Sequence, residues 1–144
     1  MEKKYLAKII ANDNEGLQII STCCAGAEVK ISNMKYLKLN KIFLLSIKRK
    51  KVETNDINKK INSICKFDYI DKVKSKNINQ SDDEQVLRLI AIDCFKNKDD
   101  YEINLIFENN AYIILKTETI EVTLEDQNEI WKYYLLKKKD LINI

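Results

Sequence analysis

The chain contains no histidine and no proline, and it has only two glycines, Gly16 and Gly26. Without histidine there is no Ser-His or Cys-His pair within the chain and no imidazole to ligate a metal. Two glycines ten positions apart cannot build the glycine-rich loop that cradles a phosphate. Long apolar runs are also lacking: the longest, Ile42-Phe43-Leu44-Leu45, falls far short of the roughly 20 residues that span a bilayer. Near the start, Lys8 and Asn12-Asp13-Asn14-Glu15 interrupt any apolar stretch of the length (about 7–15 residues) that a secretory signal needs. The expectation is a cytoplasmic protein without membrane insertion.

What is present is the balance of a globular protein: 144 residues, 45% hydrophobic and 33% charged, with a net charge of +3. That length suits one domain over residues 1–144. Isoleucine, lysine and asparagine number 22, 23 and 15, and lysine outnumbers arginine 23 to 2. Drift towards A/T-rich codons raises all three together, a hypothesis that the base composition of neighbouring genes tests. Such drift lowers the weight of any lysine cluster. The four cysteines, Cys23, Cys24, Cys65 and Cys94, form no Cys-x-x-Cys pair and sit among apolar residues. They read as small packing residues, since a reactive thiol needs a nearby base or cation.

Periodicity outlines the elements. Tyr5 to Ala11 reads as a strand, and Asn12-Asp13-Asn14 offers side-chain oxygens to the free amides of a helix start. Leu17, Ile20 and Cys24 give that helix an apolar face, and Gly26 suits a left-handed stop. From Val29 the period becomes two. Strands are expected at Val29 to Leu39 with a bulge or turn at Ser32-Asn33, at Ile42 to Arg49, and at Cys65 to Lys74. Val86 to Phe95 is apolar on both faces except at Arg88 and Asp93, the pattern of a central strand. Ile103 to Phe107 and Ala111 to Leu124, broken near Thr117, flank Asn109-Asn110, a pair tolerant of positive φ and of a tight hairpin. Glu125-Asp126 and Lys137-Lys138-Lys139 place charges that suit the two ends of a last helix. The expectation is an α+β fold of about seven mostly antiparallel strands in a curved sheet or small barrel, the PH-like kind included. One helix follows the first strand and one lies at the C-terminus.

The order of these segments resembles domain of unknown function family 2948, a small family found mainly in alphaproteobacteria. The likeness runs through Ala7 to Asp13, Glu15 to Ser21 and Ala27 to Lys30. It continues in the Phe67-x-x-Ile70 spacing and in Val73-Lys74-Ser75-Lys76-Asn77-Ile78, where Asn77 replaces the family's Gly. Asparagine is the usual substitute where φ is positive. Val86 to Ile92, Ile103 to Phe107, Glu118 to Glu121 and Trp131 complete the match. Two segments depart from it. Lys48-Arg49-Lys50-Lys51-Val52-Glu53 stands where the family carries Asn-Arg-Phe followed by Trp-Glu, and Lys60 to Ile64 stands for Arg-x-Arg-Ser-Gly. The resemblance implies a fold and a lineage but no reaction.

Three groups are candidates for function. Lys48, Arg49, Lys50 and Lys51, with the alternating Lys72, Lys74 and Lys76 on one strand face, could contact phosphates; the ordinary reading is a solvated face. Asp13, Asp68, Asp71, Asp93 and Glu118 would serve acid–base or metal chemistry only if they converge, and Asp13 has a simpler use as a helix cap. Trp131, with Tyr133 and Tyr134, could anchor a partner or simply dock the last helix. No cofactor motif is visible, and none is expected. The composite reading is a non-catalytic binding or assembly module that engages a protein partner or itself through a sheet edge or the terminal helix. Nucleic-acid binding through the lysine face and an enzyme using carboxylate or lysine chemistry are the alternatives.

Overall fold

The computed structural model describes residues 6–51, 59–82 and 84–127. The expected C-terminal helix, with Trp131, Tyr133 and Tyr134, lies outside the described residues, as do 52–58 of the polar stretch after β4. The chain begins β1 (Lys8–Ala11), α1 (Asn14–Cys24), β2 (Glu28–Lys30), β3 (Met34–Leu37), β4 (Ile42–Lys50) and β5 (Lys60–Phe67). It continues β6 (Ile70–Lys76), β7 (Val86–Lys96), β8 (Tyr101–Phe107), β9 (Ala111–Thr117) and β10 (Val122–Asp126). Every pairing is antiparallel, and the path is β1-β10-β5-β4-β2-β7-β8-β9-β6, with β3 also on β4. The sheet is open, with β1 and β6 at its edges.

Among the described residues ten strands replace the seven expected because three are cut in two. A 3-10 turn at Ile31–Asn33 separates β2 from β3. Asp68-Tyr69, with Tyr69 at φ +59°, separates β5 from β6, and residues 118–121 separate β9 from β10. The same geometry corrects the last helix's start: Glu125 and Asp126 are the end of β10, and Asp126 is buried.

Asp13 caps α1 as expected, its Oδ1 accepting from the Gly16 N–H at 2.7 Å. Leu17, Ile20 and Cys24 face inward, and Gly26 adopts φ +83° after the helix. The Gly26 N–H then donates to Leu89 O at 2.7 Å and ties the helix exit to β7. A register shift between Leu89 and Ala91 marks a bulge, and the nearby Ile92 N–H donates to Ser21 Oγ of α1 at 2.9 Å. Alternating burial along β4, β8 and β9 points one face of the curved sheet at a shared core. There Phe43 and Phe67, cross-strand neighbours on β4 and β5, meet at 6.0 Å between ring centroids. The helix covers only that inner face. Although β7 is central, its outer positions Val86, Ile90 and Phe95 stay 51%, 50% and 57% exposed, so it is not buried on both sides.

Candidate functional site

The lysines singled out in the sequence do not share one surface. Along β4 the inward phase runs Phe43, Leu45, Ile47, Arg49 and then Lys51, all buried, while Lys48 and Lys50 project outward. Arg49 is fully buried against Asp126, with Nη2 at 3.0 and 3.2 Å from the two carboxylate oxygens and Nε at 3.2 Å. Asp126 also accepts from Ser63 Oγ at 2.6 Å and from the Ala7 N–H at 2.9 Å, and Lys51 Nζ lies 3.3 Å away. Buried charge costs several kcal/mol (about that per ion) unless it is paired and hydrogen-bonded, and this carboxylate is both. The cluster thus clamps β4, β5, β10 and the residue before β1 together. Arg49 and Lys51 are structural in this setting, sealed from any phosphate.

Lys72, Lys74 and Lys76 do share a face, the outer one of edge strand β6. The register carries three rows across the second half of the sheet. They read Lys72, Lys116, Glu102, Phe95; Lys74, Ile114, Asn104, Asp93; and Lys76, Tyr112, Ile106, Ala91. Ile90 lies beside the last row at the bulge. An apolar group of Ile90, Ala91, Ile106, Tyr112 and Ile114 is therefore bordered by lysines on one side. Tyr69, at the break before β6, is 54% exposed.

A second cluster was not foreseen. Glu28 on β2 receives Arg88 Nη2 at 3.8 Å and Lys60 Nζ at 3.6 Å, and Arg88 Nε also lies 3.6 Å from Glu108. Glu28, Arg88 and Glu108 line a pocket of about 340 Å³ with Gln85 and Asn109, and the buried Gln85 Oε1 has no hydrogen-bond partner among the described residues. The acids expected to matter are dispersed. Asp13 caps a helix, Asp68 lies 3.7 Å from Lys66, and Asp93 sits in the outer rows; only Asp71, 2.9 Å from Lys41, and Glu118 act on a common group, both raising the Lys41 ammonium's pKa. Among the described residues no three His, Cys, Asp or Glu side chains gather as metal ligands, and no helix is long and apolar enough to cross a membrane. The Cys65 thiol is pushed well above its ordinary range by a hydrogen bond with Cys24 and by burial; burial alone raises Cys94. Both shifts disfavour thiolate, as the packing reading requires.

An open antiparallel sheet with one covering helix and a lysine-bordered outer face makes this an α+β protein of the mostly antiparallel kind. The chain belongs to the family described as Protein of unknown function (DUF2948), which it matches over residues 7–137. No curated protein and no solved structure matches it. Arg49 and Ser63, from the two segments that depart from the resemblance, both belong to the Asp126 cluster. Asn77, expected at a positive φ, has φ +60°.

Proposed function

We propose that the chain is a non-catalytic binding module whose outer face on β7, β8, β9 and β6 receives a protein partner. The observation that carries this reading is the apolar group of Ile90, Ile106, Tyr112 and Ile114 on an open sheet face, with Ile90 half exposed. Exposed apolar surface rimmed by polar groups marks interaction sites more often than chance apolar residues do. The lysines on β6 and β9 supply the polar rim and favour an acidic partner. Four lysines also support the nucleic-acid reading, but Glu102 adjoins Lys116 and Asp93 lies across the same face, which weakens a phosphate track. The enzyme reading has no convergence of the named acids to support it among the described residues.

The test is capture from native lysate, with and without nuclease, by the parent chain, Ile106→Asp and Leu39→Asp. Leu39 is 99% exposed on the turn before β4, outside the three outer-face rows, and serves as the control. Retention of one protein after nuclease treatment, lost with Ile106→Asp and kept with Leu39→Asp, is the expected result. Loss of all capture after nuclease treatment supports the nucleic-acid reading instead.

A further inference from the structure

The strand at the lysine edge is held as a template. Its start is pinned four ways: the Ile70 N–H donates to Lys41 O at 2.8 Å and the Tyr36 hydroxyl to Ile70 O at 2.8 Å. Thr117 Oγ1 donates to Tyr69 O at 2.8 Å, and Lys41 Nζ pairs with Asp71 at 2.9 Å. Its end is pinned by Asn77 Nδ2, which donates to Asn110 O at 2.7 Å. Left-handed residues bracket it, Tyr69 at φ +59° and Asn77 at φ +60°, leaving seven strand residues between sharp turns, with a register shift against β9 between Ile70 and Lys72. A non-glycine residue such as tyrosine is strained in that conformation, and the strain persists only where surrounding contacts enforce it. Among the described strands only β9 pairs with β6; on the other side Lys41 O takes the Ile70 N–H, and no described strand lies along residues 71–76.

The charges on this edge have a sign and a spacing. Lys30, Lys41, Lys60 and Lys66 each lie within 4.0 Å of a carboxylate, whereas Lys72, Lys74 and Lys76 make no ion pair with any described residue. Side chains two residues apart on a strand stand about 7 Å apart on one face. Lysines on an edge ordinarily keep copies of a protein from pairing, because like charges directly opposite are destabilising. A second β6 laid along this edge meets that repulsion; a strand with acidic side chains in the same period meets the reverse. Between the lysines, Val73 turns to the inner side and packs half-buried against the core, which suits an apolar residue beside it, while Ser75 Oγ accepts from Gln80 Nε2 at 2.9 Å.

We infer that the free side of β6 receives an extended segment of a partner protein, about seven residues long, with acidic side chains at every second position. Main-chain hydrogen bonds supply affinity in such strand addition, and the alternating side chains supply selectivity. The inference rests on the binding-module reading and names the partner's chemistry.

The full chain is titrated with a synthetic nine-residue peptide alternating Glu and Val (about the length of the strand), with a peptide of the same composition carrying its Glu residues in one block, and with a single-stranded oligonucleotide. Amide hydrogen exchange locates the contact. The alternating peptide is expected to protect amides within Ile70–Lys76 and to bind about tenfold or more tightly than the block peptide. The Lys72→Glu, Lys74→Glu, Lys76→Glu triple variant, checked for an unchanged circular dichroism spectrum, is expected to lose that peptide and to gain one alternating Lys and Val. Equal binding by the block peptide, absence of binding, protection elsewhere, or displacement of the peptide by the oligonucleotide overturns strand addition. If strand addition fails while Ile106→Asp still abolishes partner capture, the module reading stands alone. If Ile106→Asp leaves capture unchanged, the module reading itself falls.

Discussion

Arg49, Ser63 and Asp126 each extend an inward-facing run: Phe43, Leu45 and Ile47; Phe67 and Cys65; Val122 and Leu124. A polar side chain in that phase is either turned out by a kink or held by partners, and here three such residues satisfy one another. That signal was present in the sequence, because period two places Arg49 beneath Ile47 rather than beside Lys48 and Lys50. What periodicity along one strand does not reveal is that the three runs converge; this requires the order β10-β5-β4. Asp126→Ala is expected to cost about 3–5 kcal/mol of stability in urea unfolding, since it removes the carboxylate that two buried cations share. The double variant Arg49→Met, Asp126→Leu is expected to cost less than that single one, because it removes charge from both sides of the pair. Protons give a second test at this scale. The folded Cys65 holds its proton well past the ordinary 9.0, and burial first, then the Asp71 charge, raises the buried Tyr36 above 10.0. The unfolded chain therefore binds fewer protons above pH 9.0, so their contribution is intact below that pH and is lost as pH rises. The decline approaches about 1.4 kcal/mol per pH unit for each group that remains protonated in the fold. Cys65→Ala is expected to flatten the slope between pH 9.0 and 10.0, where Cys65 is the first of the two to act.

Elements were more legible than their ends. The α1 cap at Asp13, the left-handed exit at Gly26 and the β8–β9 hairpin turn, with Asn109 at φ +64° and Asn110 at φ +57°, follow from residue chemistry at single positions. The break at Tyr69 does not, because tyrosine is a strand former and nothing local favours positive φ there. Long-range hydrogen bonds from Thr117 and Tyr36 hold it, and they place Ile70 in the core where an unbroken strand would have turned it outward. The open outer face of β7 was illegible for a related reason: a strand apolar on both sides looks buried, and only the placement of α1 leaves one side uncovered. Gly16 gives this scale its test. A Cβ there would lie 3.0 Å from Ala11 Cβ and 3.1 Å from Ala11 Cα, so the helix start presses on the end of β1. Within an exposed helix interior Gly→Ala gains roughly 1 kcal/mol. Here Gly16→Ala is expected to lower stability by about 1 kcal/mol in thermal or urea unfolding, as overpacking outweighs propensity.

At the scale of the whole molecule, the two halves of the sheet divide the work. The half built from β1, β10, β5, β4 and β2 carries the buried charge cluster that joins distant parts of the chain. The half built from β7, β8, β9 and β6 carries the apolar outer group and the lysine edge. Membership of the family, read from the order of weak segments, is borne out over residues 7–137, yet the face we propose for binding was only partly visible beforehand. The alternating lysines of β6 were readable as one face, while their apolar neighbours come from β7, β8 and β9 and become neighbours only through the sheet register. The most direct measurement places a photo-cross-linking amino acid at position 112, replacing Tyr112, and at position 39, replacing Leu39, and irradiates each full chain in native lysate. The account predicts a discrete protein adduct at position 112 that competes with added partner and is absent at position 39. Adducts at position 39 alone, or at neither position, would contradict it.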